Sequence, residues 1–243
     1  MKNILITGGA KGIGRGIVEE LIEKKEEITI LLHYNHSETE ARKLMKQLEN
    51  MGIKFFCYQA DLTNPQKAQD MVKYFIEKVE HIDVLINNAG ISQIKLFTDI
   101  TLEDWRNMIE TNINSIFYLT KEVVKNMIHY KNGCIINISS IWGQTGASCE
   151  VHYSTTKGAV NSFTKALAKE LGPSNIRVNA IAPGYFETDM NREITQETKK
   201  EIIDATPLEK TGEPREIGKC VKWLIEDSFT TGQIISINGG FYI

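Results

Sequence analysis

Tyr153 and Lys157 stand four residues apart in Tyr153-Ser154-Thr155-Thr156-Lys157. The residues beyond them, Ala159, Val160, Phe163, Ala166 and Leu167, recur at helical spacing, so a helix is expected over the pair. On a helix, positions i and i+4 share a face, and an ammonium beside a phenol favours the phenolate. A tyrosine so placed is suited to exchanging a proton with a substrate oxygen near neutral pH. At this spacing an interface tyrosine beside a surface lysine is the ordinary alternative, and the neighbours decide between them. Ser140 closes Asn137-Ile138-Ser139-Ser140, the end of an apolar run, where its hydroxyl can hydrogen-bond a carbonyl oxygen.

A second group of residues suits a phosphate. Thr7-Gly8-Gly9-Ala10-Lys11-Gly12-Ile13-Gly14 comes after a short apolar run and precedes the helical pattern of Ile17, Val18, Leu21 and Ile22. Glycines let the backbone turn tightly and approach a pyrophosphate, while the N-terminus of the next helix offers free N–H groups. Gly8, Gly12 and Gly14 are the expected contacts. Their spacing, Gly-x-x-x-Gly-x-Gly, is a variant of the dinucleotide fingerprint, and a glycine turn without a ligand is the alternative. An NAD site usually carries a carboxylate about 20 residues on, to hold the ribose hydroxyls. Here the corresponding stretch reads Leu32-His33-Tyr34-Asn35-His36-Ser37, with no acid between Glu27 and Glu38. Lys11, Arg15 and the polar residues from Asn35 onward can receive a 2′-phosphate, so NADP(H) is expected.

These residues need elements that bring them to one place. Short β-branched runs occur at about Lys2 to Thr7, Ile28 to His33, Lys54 to Gln59, Val84 to Asn87, Cys134 to Ile138, Ile176 to Ile181 and Ile234 to Ile237. Each of the first six leads into a longer segment of helical periodicity, which is a βαβ rhythm. The expected class is α/β, a doubly wound Rossmann fold with a single parallel seven-stranded sheet and helices on both faces. In such a sheet ligands bind at the carboxyl ends of the strands, where the glycine turn, Asn87-Asn88-Ala89-Gly90, Ser140 and Pro183-Gly184 all fall. Asn64-Pro65 and Thr101 with Glu103 and Asp104 after it mark helix starts. The polar stretch from Tyr185 to Glu213 breaks the rhythm and is expected to be a lid or binding loop.

Composition narrows the function further. The chain of 243 residues, 42% apolar, is read as one domain over 1–243, with no linker dividing it. A net charge of −3, with basic and acidic residues mixed, points away from nucleic-acid and membrane surfaces. The apolar run at Ile4 to Ile6 is too short for a signal-peptide core. Cys57, Cys134, Cys149 and Cys220 are scattered, without metal-ligand spacing to the histidines, so no metal and a reducing cytoplasm are expected.

Together these residues resemble the short-chain dehydrogenase/reductase family, from Lys2 to the end of the chain. The resemblance includes Asp61 after the third strand, Asn112 in Glu110-Thr111-Asn112, and Ala182-Pro183-Gly184. Tyr185 to Met190 and the ending from Thr231-Gly232-Gln233 through Asn238-Gly239-Gly240-Phe241-Tyr242 look most like the 3-oxoacyl-[acyl-carrier-protein] reductases. The resemblance implies a role for each site residue. Tyr153 is the implied general acid, Lys157 lowers its pKa and holds the nicotinamide ribose, Ser140 polarises the carbonyl and Asn112 anchors a water of the proton relay. By the same resemblance Asp61, with Leu62, meets the adenine, and Asn88, Ala89 and Gly90 the adenosine. Thr188 is implied to meet the carboxamide, and Ile13, Pro183, Gly184 and Phe186 to complete the cofactor contacts with Lys11 and Asn35. For Asn112 the alternative is a residue that kinks its helix, and for Thr188 an ordinary loop hydroxyl.

The implied reaction is NADPH-dependent reduction of a 3-oxoacyl thioester, on acyl-carrier protein or CoA, in fatty-acid synthesis. A sugar, polyol or steroid alcohol dehydrogenase and a non-enzymatic NADP(H)-binding sensor are the alternatives. Lys131 stands where the reductases carry a basic docking residue, while Gly172-Pro173-Ser174 occupies the second such position without a base. Cys149, Glu150 and His152 are expected to line the pocket mouth, which Trp142 shapes. Trp105 and Trp223 read as core or interface anchors. A homotetramer or homodimer is expected, built on long helices at roughly Leu102 to Met127 and Val151 to Leu171 and on the C-terminal strand.

Overall fold

Alternation along the strands decides which helices cover which face. The computed structural model describes residues 1–23, 28–191 and 194–243. Its strands are β1 (Lys2–Ile6), β2 (Ile28–Tyr34), β3 (Lys54–Gln59), β4 (Val84–Asn87), β5 (Gly133–Ile138), β6 (Ile176–Pro183) and β7 (Ile234–Ile237). They form one parallel sheet in the order β3-β2-β1-β4-β5-β6-β7. Ile4, Ile6, Ile30, Leu32, Val84, Ile86 and Ile136 face one way. They pack on α1 (Gly12–Leu21), α2 (Glu38–Met51) and α9 (Pro214–Glu226) through Ile17, Val18, Leu44, Leu48, Val221 and Leu224. Leu5, Leu31, Leu85 and Ile135 face the other way, onto α3 (Pro65–Val79), α5 (Ser115–Tyr130) and α7 (Val151–Leu171). Two covered faces make β5 buried at every position, which is why Cys134-Ile135-Ile136-Asn137-Ile138 reads as a nearly continuous apolar run.

The strand order reverses about β1, so the loops after β1 and β4 diverge and leave the crevice in which such folds bind ligands. Local chemistry sets the helices that flank it. The Asn64 side chain accepts from the N–H groups of Gln66 and Lys67 at 3.0 and 3.2 Å, and Pro65 occupies the first turn of α3. At α4 (Leu102–Ile109) Thr101 and Asp104 form a reciprocal capping box.

Two segments differ from expectation. The long helix expected from Leu102 to Met127 is interrupted by a π turn at Glu110–Asn114, which separates α4 from α5. The stretch from Tyr185 to Glu213 is not loop throughout: a 3-10 turn at Asp189–Asn191 and α8 (Gln196–Asp204), capped by Thr195, lie within it. None of the residues of α8 is buried, which explains why no apolar stripe announced it. The two ends of this excursion meet in a bridge between Phe186 and Gly212. No helix among the described residues is long and apolar enough to cross a membrane.

Candidate active site

The glycine turn is held open by its neighbours. Gly8 and Gly12 have φ of 61° and 53°, the left-handed region that glycine enters without strain. Thr7 Oγ1 accepts from the N–H groups of Asn88 and Ala89, both at 3.0 Å, and Asn88 Nδ2 donates to the carbonyls of Thr7 at 2.9 Å and Gly8 at 3.1 Å. These bonds lock the loops after β1 and β4 together. A side chain at Gly14 would run into the Gly8 carbonyl and Asn88, so α1 can begin this close to the turn only with glycine there. Lys11, the residue before α1, makes no side-chain cap, and by helix geometry the N–H groups of Gly12, Ile13 and Gly14 have no partner within the helix. A bare loop carrying unpaired donors at the positive end of a helix fits the pyrophosphate of a dinucleotide.

His33 supports this turn, and sequence reasoning missed it. Gly8 N–H donates to His33 Nδ1 at 3.2 Å, so the ring proton sits on Nε2 and is donated to the Ala60 carbonyl at 3.0 Å. Burial lowers the imidazole to about 4, against the upward pull of the Ala60 carbonyl and Asp61. A histidine in the middle of a β-branched run, at a position facing inward, was the available signal.

Around the turn, the residues expected to hold the cofactor are distributed unevenly. A Cβ on Gly12 would lie 3.6 Å from Thr188, so the loop after β6 faces the glycine turn. Lys11 Nζ is 3.9 Å from Asp189 on the same loop, and both side chains are more than half exposed. Arg15 points elsewhere: Glu19 at 2.6 Å and Gln47 at 2.5 Å hold its guanidinium along α1 and α2. Asn35 comes directly after β2, its carbonyl accepting from Gln59 at 2.9 Å. At Asp61 burial pushes the carboxyl up, but hydrogen bonds from Thr63 at 3.0 and 2.8 Å, with Lys67 and His36 nearby, leave it below its ordinary value. Leu62 is buried beside it. Pro183 ends β6, and Gly184 donates to the Ile237 carbonyl at 2.9 Å. The Phe186 ring is packed in the core against Gly212, so only its backbone is left to face a ligand.

The residues expected to transfer the proton converge on the adjoining edge. Tyr153 and Lys157 lie one turn apart on α7 and are 8% and 5% exposed. Lys157 Nζ donates to the Ile138 carbonyl at 2.9 Å and lies 5.6 Å from the centre of the Tyr153 ring. Burial lowers Lys157 to about 8. Ser140 Oγ accepts from the Trp142 N–H at 3.1 Å, which leaves its own hydrogen to donate, and it bonds the Tyr153 phenol. The phenol nevertheless lies above its ordinary value, contrary to the lowering expected from Lys157. Burial is the largest cause, Ser140 opposes it, and the Glu150 carboxylate adds to it.

Asn112 sits inside the π turn, where a residue that kinks its helix is expected to lie. Its Oδ1 accepts from Ile91 N–H at 2.9 Å, and its Nδ2 donates to the Ile91 carbonyl at 2.8 Å and to Thr156 at 3.2 Å. The irregular turn thereby swings a fully buried amide against the loop after β4. A Cβ on Gly90 would lie 3.1 Å from Asn112 Oδ1 and 3.7 Å from Lys157 Nζ, so a bare backbone at Gly90 separates the two. Of the residues expected at the mouth, His152 bonds Gln93 at 2.9 Å, and Gln93 is held in turn by Asp104 at 2.9 Å. A phenol, a buried ammonium and a serine hydroxyl thus border a crevice that begins at a phosphate-shaped turn. That arrangement can bind a dinucleotide and protonate an oxygen as hydride reaches the neighbouring carbon.

Comparison with known proteins gives the same picture over the whole chain. The family model for short chain dehydrogenase matches residues 2–199. The uncharacterized oxidoreductase YmfI of Bacillus subtilis is 41% identical over 99% of both chains. The 3-oxoacyl-[acyl-carrier-protein] reductase of Aquifex aeolicus is 36% identical, covering 98% of this chain and 96% of its own. Among solved structures, the 3-oxoacyl-[acyl-carrier protein] reductase of Brucella melitensis superposes with a TM-score of 0.91 at 31% identity, over 100% of this chain and 91% of that one. With sheet order, glycine turn and family match in agreement, the chain belongs to the short-chain dehydrogenases and is an NAD(P)-dependent oxidoreductase acting on CH–OH groups.

Proposed function

We propose that the protein reduces a 3-oxoacyl thioester to its 3-hydroxyacyl form with NADPH, as a step of fatty-acid synthesis in the cytoplasm. The convergence of Tyr153, Lys157, Ser140 and Asn112 beside the glycine turn carries the reading. The names of two relatives support the choice of substrate. Held at the glycine turn by Gly8, Gly12 and Gly14, a reduced nicotinamide dinucleotide would supply the hydride for the carbonyl carbon. As the C=O π pair moves onto oxygen, Ser140 donates a hydrogen bond to it and the Tyr153 phenol gives it a proton. Lys157, lowered to about 8 yet still cationic at neutral pH, stabilises the phenolate left behind. Asn112, anchored to Ile91, holds the relay that restores the phenol proton. For the cofactor, Lys11 is the cation that remains for a 2′-phosphate, since Arg15 is engaged by Glu19 and Gln47. Lys131, exposed at the end of α5, is the docking base for an acyl-carrier protein.

The test is NADPH oxidation with acetoacetyl-CoA, set beside a panel of sugars and steroids, in the native protein and Tyr153→Phe. The native protein is expected to favour the thioester and NADPH. The variant is expected to lose roughly 100-fold to 10,000-fold in kcat while binding NADPH normally. Near-native turnover in Tyr153→Phe overturns the assignment of the acid. A preference for a sugar or steroid moves the substrate to that class.

A further inference from the structure

Tyr153 stands in the first turn of α7, and that turn is not fixed by the usual means. No side chain caps the helix, although Glu150 occupies the cap position. The ties come from the loop after β4 instead. Lys95 N–H donates to the Cys149 carbonyl at 2.7 Å, just before the helix, and His152 Nε2 meets Gln93 Oε1 at 2.9 Å. Gln93 Nε2 in turn donates to Asp104 Oδ1 at 2.9 Å, while Asp104 Oδ2 takes Lys95 Nζ at 2.7 Å and the Thr101 N–H at 2.9 Å. Hydrogen bonds from Lys95, Gln93 and Thr101 hold Asp104 well below the usual carboxylate range, so it only accepts. That fixes the direction of the chain of bonds. With its amide nitrogen turned to Asp104, Gln93 presents Oε1 to His152, and the ring proton therefore sits on Nε2. The ring is 1% exposed, and its Nδ1 is buried without a partner among the described residues. Among those residues, Gln93 is its one polar anchor. The same loop reaches the other end of the turn at Ile91, whose N–H and carbonyl bond Asn112 at 2.9 and 2.8 Å. Asn112 also donates to Thr156 Oγ1 at 3.2 Å, and that hydroxyl donates to the Tyr153 carbonyl at 2.7 Å.

We propose that Gln93 is a positioning residue: by bridging Asp104 to His152 it sets the place of the Tyr153 phenol relative to Ser140 and to the Asn112 amide. The inference rests on the reading of Tyr153 as the acid. Proton transfer needs hydrogen-bond reach, and a misplacement of about 1 Å costs on the order of 100-fold in rate. Without the Gln93 amide, the buried Nε2–H of His152 loses its acceptor, and the ring must move or admit water to find another. His152 is joined to Tyr153 by one peptide bond, so a backbone turn that serves the ring carries the phenol with it. Gln93 thus acts on the phenol through His152, and on the loop it shares with Ile91 it couples the acid to the amide of the relay.

Gln93→Leu removes both side-chain bonds with little change in size. With the substrate that the native protein turns over best, kcat per NADPH site is expected to fall roughly tenfold to 100-fold while KM stays near native. The solvent deuterium isotope effect on kcat is expected to rise, since transfer from a misplaced phenol then limits turnover. A merely structural loss would lower the number of NADPH sites and the melting temperature but leave both per-site readouts alone. Gln93→Glu keeps an acceptor for His152 yet sets a second carboxylate against Asp104, and is expected to be as slow as Gln93→Leu. Adding Asp104→Asn supplies the amide donor from the other side and should restore most of the rate. If Gln93→Leu folds poorly, equal rates with and without Asp104→Asn in the Gln93→Glu background overturn the inference. Native kcat and isotope effect in Gln93→Leu, with Tyr153→Phe inactive, overturn this inference alone. An active Tyr153→Phe overturns the acid assignment on which it rests.

Discussion

At the scale of the residue, His33 shows how a group outside the reaction can govern the site. Its Nδ1 must carry a lone pair to accept from Gly8, so protonation would set two donors against each other at the glycine turn. The imidazole stands at about 4 in the folded chain against 6.5 when free. A lowered histidine binds its proton more readily in the unfolded chain. The stability it supports is therefore complete above about pH 6.5 and is lost as pH falls toward 4. Relative to His33→Asn, which keeps an acceptor but does not titrate, the native protein should lose about 2 kcal/mol between pH 7 and pH 5. Urea unfolding at the two pH values measures this, and parallel losses in both proteins would refute it.

Residues of this kind mark where the sequence stopped being legible. Tyr153, Lys157 and Ser140 could be found because their types are rare in their contexts and their spacing has a chemical meaning. His33 and Thr7 act through bonds to backbone atoms of another loop, and sequence spacing carries no trace of such partners. The raised Tyr153 phenol was hidden for a related reason: burial is its largest cause, and the i, i+4 spacing carries no sign of burial.

Among the elements, strands were read to within a residue or two because a sheet covered on both faces leaves long apolar runs. Helix starts were equally open, since caps are local. Asn64→Ala should cost about 1 kcal/mol of stability, by removing the acceptor for Gln66 and Lys67, and leave turnover unchanged. A melting temperature indistinguishable from the native protein's would show that the cap contributes nothing. The π turn was legible only as the kink that is the alternative reading of Asn112. It inserts one extra residue per turn over Glu110–Asn114 without Gly or Pro, and its cause is the bonding of Asn112 to Ile91, far off in sequence.

For the whole molecule, large apolar side chains stand exposed on α4, on α5 and near the C-terminus. Phe117 on α5 and Leu102 and Trp105 on α4 are exposed, as are Phe229, at 95%, and the terminal Ile243. Apolar surface of this kind is expected to be covered by further copies of the chain, as a homotetramer or homodimer. Sedimentation at micromolar concentration should give such a species, and Phe117→Glu should yield a smaller one. A native protein that sediments as a monomer would end that expectation.

The bridge between Phe186 and Gly212 has a consequence for how this scaffold acquires new substrates. Because the Gly212 N–H also donates to the Tyr185 carbonyl at 3.0 Å, the excursion bearing α8 leaves and rejoins the body of the protein side by side, with a further tie from the Leu208 N–H to the Gly239 carbonyl at 3.1 Å. Closing a loop costs only slowly more as it lengthens. The α8 segment within these ties, none of whose residues is buried, can therefore be lengthened, shortened or exchanged while the sheet, the glycine turn and Tyr153 keep their places. The protein is in this sense a fixed scaffold with a replaceable cassette on it, open to drift and to deliberate grafting alike.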